Sequence, residues 1–229
     1  MPEWISMFIY GEPGVGKTYL FGTAQDYEAT SPMLLIDIEG GTTTLRKRKD
    51  LEIVPVRSMK KLVEIQNTLY RENELSYRCV ALDNMSELQS LDMQVIMQEA
   101  YGRNPDKVDI DVPSPREWGK SREHLRAITR SFRDLPCHVL FSAHVHEKIE
   151  EGQPTRYYPG FGGKARVDLP GFCDIVGLMT VEHSGNETKR RIQFVGSRRV
   201  LAKDRFDALG ETVVNPSIPS LWEKLYEGE

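Results

Sequence analysis

Residues Gly11-Glu12-Pro13-Gly14-Val15-Gly16-Lys17-Thr18 spell G-x-x-x-x-G-K-T. No other stretch constrains the fold as much, because this pattern works only where a β-strand hands over directly to an α-helix. The glycines let successive backbone N–H groups turn inward around phosphate. Lys17 is placed to reach the β- and γ-phosphates, and the Thr18 hydroxyl to ligate Mg²⁺. Both flanks fit. Trp4-Ile5-Ser6-Met7-Phe8-Ile9-Tyr10 reads as a buried strand, and Lys17 to Gln25 as the helix that follows. The expected nucleotide site comprises Glu12, Pro13, Gly14, Val15, Gly16, Lys17, Thr18 and Tyr19, with ATP and Mg²⁺ as cofactors.

The apolar pattern beyond the loop alternates strand and helix. Met33 to Ile38, Tyr77 to Asp83 and His138 to Ala143 read as buried strands. Ser58 to Arg71, Met85 to Tyr101 and Glu117 to Leu135 read as helices, and Asn104 to Pro115 as an Asp- and Pro-rich loop. Such alternation implies an α/β fold: a mostly parallel central sheet flanked by helices, the architecture of a P-loop NTPase. The last third differs. Gly152 to Gly163 reads as a Gly/Pro/Tyr-rich loop, and Cys173 to Glu182 with Lys189 to Val195 as a C-terminal β-hairpin turning at Ser184 to Glu187. Ser217 to Tyr226 reads as a short closing helix. The hairpin is expected to extend the same sheet, so residues 1–229 form one domain.

With 229 residues, 28% of them charged, and a formal net charge of −4, the chain is no uniformly basic nucleic-acid coat, though a local basic site remains open. No apolar run approaches a membrane span, and the N-terminus lacks a signal-peptide pattern. Cys79, Cys137 and Cys173 sit in apolar runs without zinc spacing and read as reduced, buried thiols of a cytoplasmic protein.

Hydrolysis needs a metal anchor and a group that activates water. Asp83 closes the apolar strand Cys79-Val80-Ala81-Leu82-Asp83, the Walker-B arrangement for Mg²⁺. A helix N-cap at Asp83 or Asn84 is compatible with that role. Asp37 and Glu39 end a strand where α/β sheets bind ligands, and a carboxylate there can deprotonate water. His144 and His146 follow the fourth strand. A metal-binding H-x-H pair would need further ligands, so His144 is expected to sense the γ-phosphate by a hydrogen bond.

The order of phosphate loop, Leu35-Ile36-Asp37-Ile38-Glu39, Asp83 and His144 resembles the RecA-like ATPase core. With the segment Ala202-Lys203-Asp204-Arg205, the chain is similar to phage-encoded RecA-like proteins that act as ATP-dependent single-strand-annealing recombinases, over roughly Trp4 to Leu225. That resemblance implies a RecA-like core with Glu39 as general base. It puts His144 where a glutamine commonly couples nucleotide state to DNA. It implies a DNA-binding loop carrying Arg156, Tyr157, Tyr158, Phe161, Lys164 and Arg166, whose aromatics would stack on bases while the cations track phosphates. From the basic run Arg198, Arg199, Lys203, Arg205, it implies that Lys203 and Arg205 reach a neighbouring subunit's γ-phosphate. The implied partners are single-stranded DNA, a single-strand-binding protein, and further copies of the chain in a homo-oligomer with ATP at the subunit interface. RecA proper carries additional terminal parts, so annealing or strand handling is expected here rather than homology search. The implied setting is phage DNA recombination in the host cytoplasm.

Other readings compete. A small-molecule P-loop kinase would use Asn104 to Pro115 as its lid, yet that stretch is acidic apart from Lys107. A non-enzymatic nucleotide switch would have little need of Asp83 and Glu39. An AAA+ motor would carry a helical lid where this chain is rich in strand and loop.

Overall fold

The structure, a computed structural model, describes residues 2–71, 75–149, 151–184 and 187–227. Its strands are β1 (Ser6–Gly11), β2 (Met33–Asp37), β3 (Glu52–Pro55), β4 (Cys79–Asp83), β5 (His138–Ala143), β6 (Val145–Lys148), β7 (Arg156–Pro159), β8 (Ile175–Ser184), β9 (Glu187–Gln193), β10 (Lys203–Asp204) and β11 (Thr212–Val214). Its helices are α1 (Lys17–Gly22), α2 (Met59–Arg71), α3 (Met85–Arg103), α4 (Pro115–Arg133), α5 (Ala165–Gly171) and α6 (Ile218–Glu227).

The main sheet runs β3-β2-β4-β5-β1-β8-β9-β11, with β10 beside β8. From β3 to β8 every neighbouring pair is parallel. Strands β9, β10 and β11 are antiparallel additions. The α/β architecture with a parallel core and a C-terminal antiparallel extension is therefore as expected. The β8–β9 pairing reaches Ser184 opposite Glu187, while the turn residues Gly185 and Asn186 lie outside the described residues.

Both faces of the sheet are covered, which is why its strands are apolar on both sides. On one face Phe8, Tyr10, Val80, Leu82, Val139 and Phe141 pack against α2, α3, α4 and α5. On the other, Met7, Ile9, Ala81 and Leu140 pack against α1 and α6. All three cysteines are buried free thiols, and burial pushes those of Cys137 and Cys173 up to about 12.

Four expectations are corrected. Helix α1 ends at Gly22 rather than Gln25, and the chain tightens into a 3-10 turn at Thr23–Asp26. Thr23 assists by donating its hydroxyl to the Leu20 carbonyl at 2.6 Å. Strand β3 adds to the expected strands, a four-residue edge strand with no buried run to mark it in the sequence. The Asp/Pro-rich loop gives way at Pro115, where α4 starts behind a capping box of Ser114 and Glu117. The expected loop Gly152 to Gly163 contains β7, which pairs antiparallel with β6 as a separate two-stranded sheet.

His138 shows how tightly the base of the sheet is packed. Its ring stands edge-on to both Trp4 and Trp222, and its Nδ1 accepts a hydrogen bond from Ile5 N at 3.0 Å. Burial, aided by the Arg78 charge, pushes its pKa down to about 4. The folded value lies below the unfolded one, so the unfolded chain takes up a proton first as the pH drops. The packing around neutral His138 stabilises fully above pH 6.5 and loses ground as the pH falls toward 4. Urea unfolding of wild type and His138→Gln at pH 7 and pH 5 should show a smaller loss on acidification in the variant.

Candidate nucleotide site

The phosphate loop lies at the C-terminal edge of the parallel strands, between β1 and α1. Gly14 and Gly16 carry φ values of 78° and 112°, a region that L side chains rarely adopt. Lys17 is buried, and its ammonium donates to the carbonyls of Gly11 at 2.8 Å and Glu12 at 3.0 Å. Burial lowers its pKa, against the opposing pull of the Asp83, Glu39 and Glu12 charges. Tyr19 points outward and is 59% exposed.

Asp83 ends β4 and is buried beside the loop. Thr18 Oγ1 donates to its Oδ2 at 2.5 Å, and Ser142 Oγ donates to its Oδ1. Two hard oxygen ligands thus stand together, as Mg²⁺ bound partly through water and phosphate requires. The pair fits the expected ion: Thr18 would ligate it directly, and Asp83 would hold its water shell.

Glu39, Asn84 and His144 meet one another, and Glu39 and His144 share a cleft with Thr18. They come from the exits of β2, β4 and β5, which lie side by side in the sheet. Asn84 Nδ2 donates to Glu39 Oε2 and lies 3.1 Å from His144 Nε2. His144 Nε2 is 3.4 Å from Glu39 Oε1. Pro13, Gly14, Gly16, Lys17, Thr18, Tyr19, Glu39, Gly41, Thr44 and His144 line one cleft. Phosphate donors, the Thr18 hydroxyl, a carboxylate and an imidazole therefore line one cleft, with Asp83 bonded directly to Thr18, an arrangement suited to phosphoanhydride chemistry.

Asp37 does other work. Its carboxylate accepts from Gly40 N at 2.7 Å and Thr42 Oγ1 at 3.2 Å, and pairs with Arg57 at 3.3 Å. These bonds hold the turn that follows β2, so of the two strand-end acids only Glu39 faces the cleft. Nothing in the sequence pattern points to Ser142, and the pattern around Asn84 points only to a helix cap. The cap exists, with Asn84 Oδ1 accepting from Glu87 N at 2.9 Å, but its amide nitrogen also serves the cleft.

The remaining expected residues lie elsewhere. Phe161 is buried in the core, edge-on to Phe8 at 6.1 Å, and has no face free for a base, which corrects its expected stacking role. The Tyr157 side chain packs on the same core, while its backbone N–H donates to Arg199 O at 2.6 Å. Arg156 and Tyr158 share a second cleft with Arg198 and Arg199. Arg166 sits 5.9 Å from the centre of the Tyr158 ring, and Lys164 is exposed. Lys203 and Arg205 lie at the opposite end of β8 from the phosphate loop. There Lys203 bonds Gly171 O at 3.0 Å and Arg205 pairs with Asp174 at 2.9 Å. They do not reach the phosphate loop of their own chain.

A family model described as AAA domain matches residues 3–206. The chain belongs to that family. It is thus a P-loop ATPase domain, with the phosphate loop, Asp83 and the parallel core all inside the match. No curated protein matches the chain. Among solved structures, a KaiC-like protein (PH0186) of the hyperthermophilic archaeon Pyrococcus horikoshii OT3 is similar at 12% identity. The alignment covers 94% of this chain and 91% of that one, with a TM-score of 0.47. Among the described residues no helix is long and apolar enough to cross a membrane.

Removing the ammonium from the loop should weaken phosphate recognition without unfolding the chain. Lys17→Ala is expected to weaken binding of a fluorescent ADP by at least about tenfold, the scale of one charged hydrogen bond, with an unchanged far-ultraviolet circular dichroism spectrum.

Proposed function

We propose that the chain is a Mg²⁺-dependent ATPase that binds single-stranded DNA through the β6–β7 hairpin and acts in phage DNA recombination or annealing. One observation carries the DNA reading. Arg156 and Tyr158, from the hairpin, and Arg198 and Arg199, from a segment forty residues further on, line one cleft. An aromatic ring among three guanidinium groups suits a strand whose bases are unpaired and whose phosphates need partners. In a chain of net charge −4 this concentration of arginine is local, as a specific anionic partner requires. Arg166 sits against the Tyr158 ring and extends it, Lys164 lies exposed two residues before Arg166, and Phe161 has no part in it.

At the nucleotide, Lys17 and the loop amides hold the phosphates, while Thr18 and Asp83 hold Mg²⁺. The ion would neutralise charge on the transferring phosphoryl group. Glu39 takes the proton from the attacking water, and Asn84 fixes its carboxylate in place. His144 senses the γ-phosphate. Because its carbonyl accepts from Gly160 N at 2.7 Å, any shift of His144 reaches the hairpin directly. Lys203 and Arg205 act in trans on a neighbouring copy's nucleotide in a homo-oligomer, a role their distance from the loop of their own chain permits. The recombination setting, the phage origin and a single-strand-binding partner rest on the sequence resemblance.

ATP hydrolysis should rise with single-stranded DNA and respond weakly to duplex. Glu39→Gln should lower turnover about 100-fold or more, the usual contribution of a general base, with nucleotide binding retained. Unchanged turnover in that variant excludes Glu39 as the base. Arg156→Ala with Arg199→Ala should weaken single-strand binding and flatten its salt dependence by about 1.4 in log–log slope, roughly 0.7 for each phosphate deprived of its cation. Turnover indifferent to DNA, with no measurable single-strand binding, would leave the ATPase standing without its proposed partner.

A further inference from the structure

Arg190 belongs to β9, which has no part in the phosphate-loop motif, yet its side chain ends against the loop. Its Nε donates to the Val15 carbonyl at 3.0 Å. A Cβ placed on Gly16 would stand 2.8 Å from that Nε and 3.2 Å from Arg190 Cδ. The guanidinium stem therefore occupies the space a side chain at residue 16 would need.

A loop that binds anions turns its N–H groups inward, and its carbonyls must then find donors outside. Val15 O finds one in Arg190, and a charged donor makes the bond stronger than a neutral one would. The strand carrying Arg190 is itself held. Arg190 N donates to Asn215 Oδ1 at 3.0 Å, and Asn215 N donates to Arg190 O at 2.7 Å. Three residues on, Ile218 N donates to Thr23 Oγ1 at 2.8 Å, just past the end of α1. The segment from β11 to α6 thus touches the outer side of the loop through Arg190 and the far end of its helix through Thr23. It lies beyond residue 206, where the family match ends.

We propose that Arg190 is a positioning residue for the nucleotide: it holds the Val15 carbonyl outward so that the Gly14 to Thr18 amides stay turned toward phosphate, and Asn215 holds Arg190 there. The proposal rests on nucleotide binding by the loop and not on the DNA reading.

The test uses the full chain. Binding of fluorescent ADP with Mg²⁺, KM and kcat for ATP, and the thermal midpoint without nucleotide are measured for wild type, Arg190→Met, Arg190→Lys and Asn215→Ala. Arg190→Met should raise Kd and KM together by about tenfold, in line with the loss of one charge-assisted hydrogen bond. Its kcat should hold, because the loss falls on ground state and transition state alike. Arg190→Lys should recover part of the affinity, and Asn215→Ala should shift Kd and KM in the same direction by less. Unchanged Kd and KM in Arg190→Met overturn the proposal. So does a lowered midpoint in that variant with wild-type affinity at a temperature where it is folded. If Arg190→Met does not fold, wild-type Kd in both Arg190→Lys and Asn215→Ala overturns it. Wild type that binds no nucleotide would instead remove the reading of the loop itself.

Discussion

The site hangs on the carboxylate of Asp83. Its side chain is 2% exposed, an environment that penalises a charge by several kcal/mol unless its oxygens are bonded. Both are. Thr18 brings in the first turn of α1, and Ser142 brings in β5. The Asp83 carbonyl works as well, accepting from Ile38 N at 2.7 Å and Glu39 N at 3.3 Å where the chain leaves β2. One residue thus fixes the positions of the phosphate loop, the strand that leads to His144, and the turn that presents Glu39. The bonds that make its burial tolerable are the same ones that assemble the cleft.

The next residue, Asn84, carries that order outward. Its amide oxygen starts α3 and its amide nitrogen reaches Glu39 and His144, so one planar group links a helix start to both candidate water- and phosphate-facing side chains. His144 in turn is held at its backbone N–H by Ser86 Oγ at 3.1 Å and at its carbonyl by Gly160 N. A displacement at the nucleotide therefore has a continuous bonded route to the β6–β7 hairpin. On the proposed function, that route would let ATP state bias the DNA surface, provided the hairpin has two arrangements for the nucleotide to choose between.

Much of this was legible in the sequence, and what escaped it did so for physical reasons. Buried parallel strands are continuous apolar runs, so β1, β2, β4 and β5 stand out, and a motif confined to eight residues identifies the loop. Strand β3 leaves little trace because an edge strand of four residues buries neither face fully. Phe161 misleads because the glycines around it suggest a loop, while its ring is buried in the core edge-on to Phe8. The pairing of Arg190 with Val15 spans 175 residues and depends on the register of β9 against β8, which no local pattern encodes. Position at the strand end alone does not separate Asp37 from Glu39, and it is the resemblance that assigns the base to Glu39. The turn after β2 adds the physical reason, since the Asp37 carboxylate is consumed in holding it.

Gly11 shows why fold and site were read from the same residues. It is the first glycine of the phosphate motif, and it is also the last residue of β1, paired in register with Met179 of β8. A Cβ there would run into the Met179 carbonyl and stand 3.2 Å from Val15 Cγ1. The absence of a side chain at this position thus lets β8 close on β1 and lets the loop fold back over the strand end. A substitution at Gly11 would disturb the sheet and the phosphate site together and could not separate them. Lys17 takes no part in the sheet itself: its ammonium bonds the carbonyls of Gly11, where β1 ends, and Glu12, so its removal brings no new atom against β8. The loop is therefore best interrogated at its cation, because its leading glycine belongs as much to the sheet as to the nucleotide.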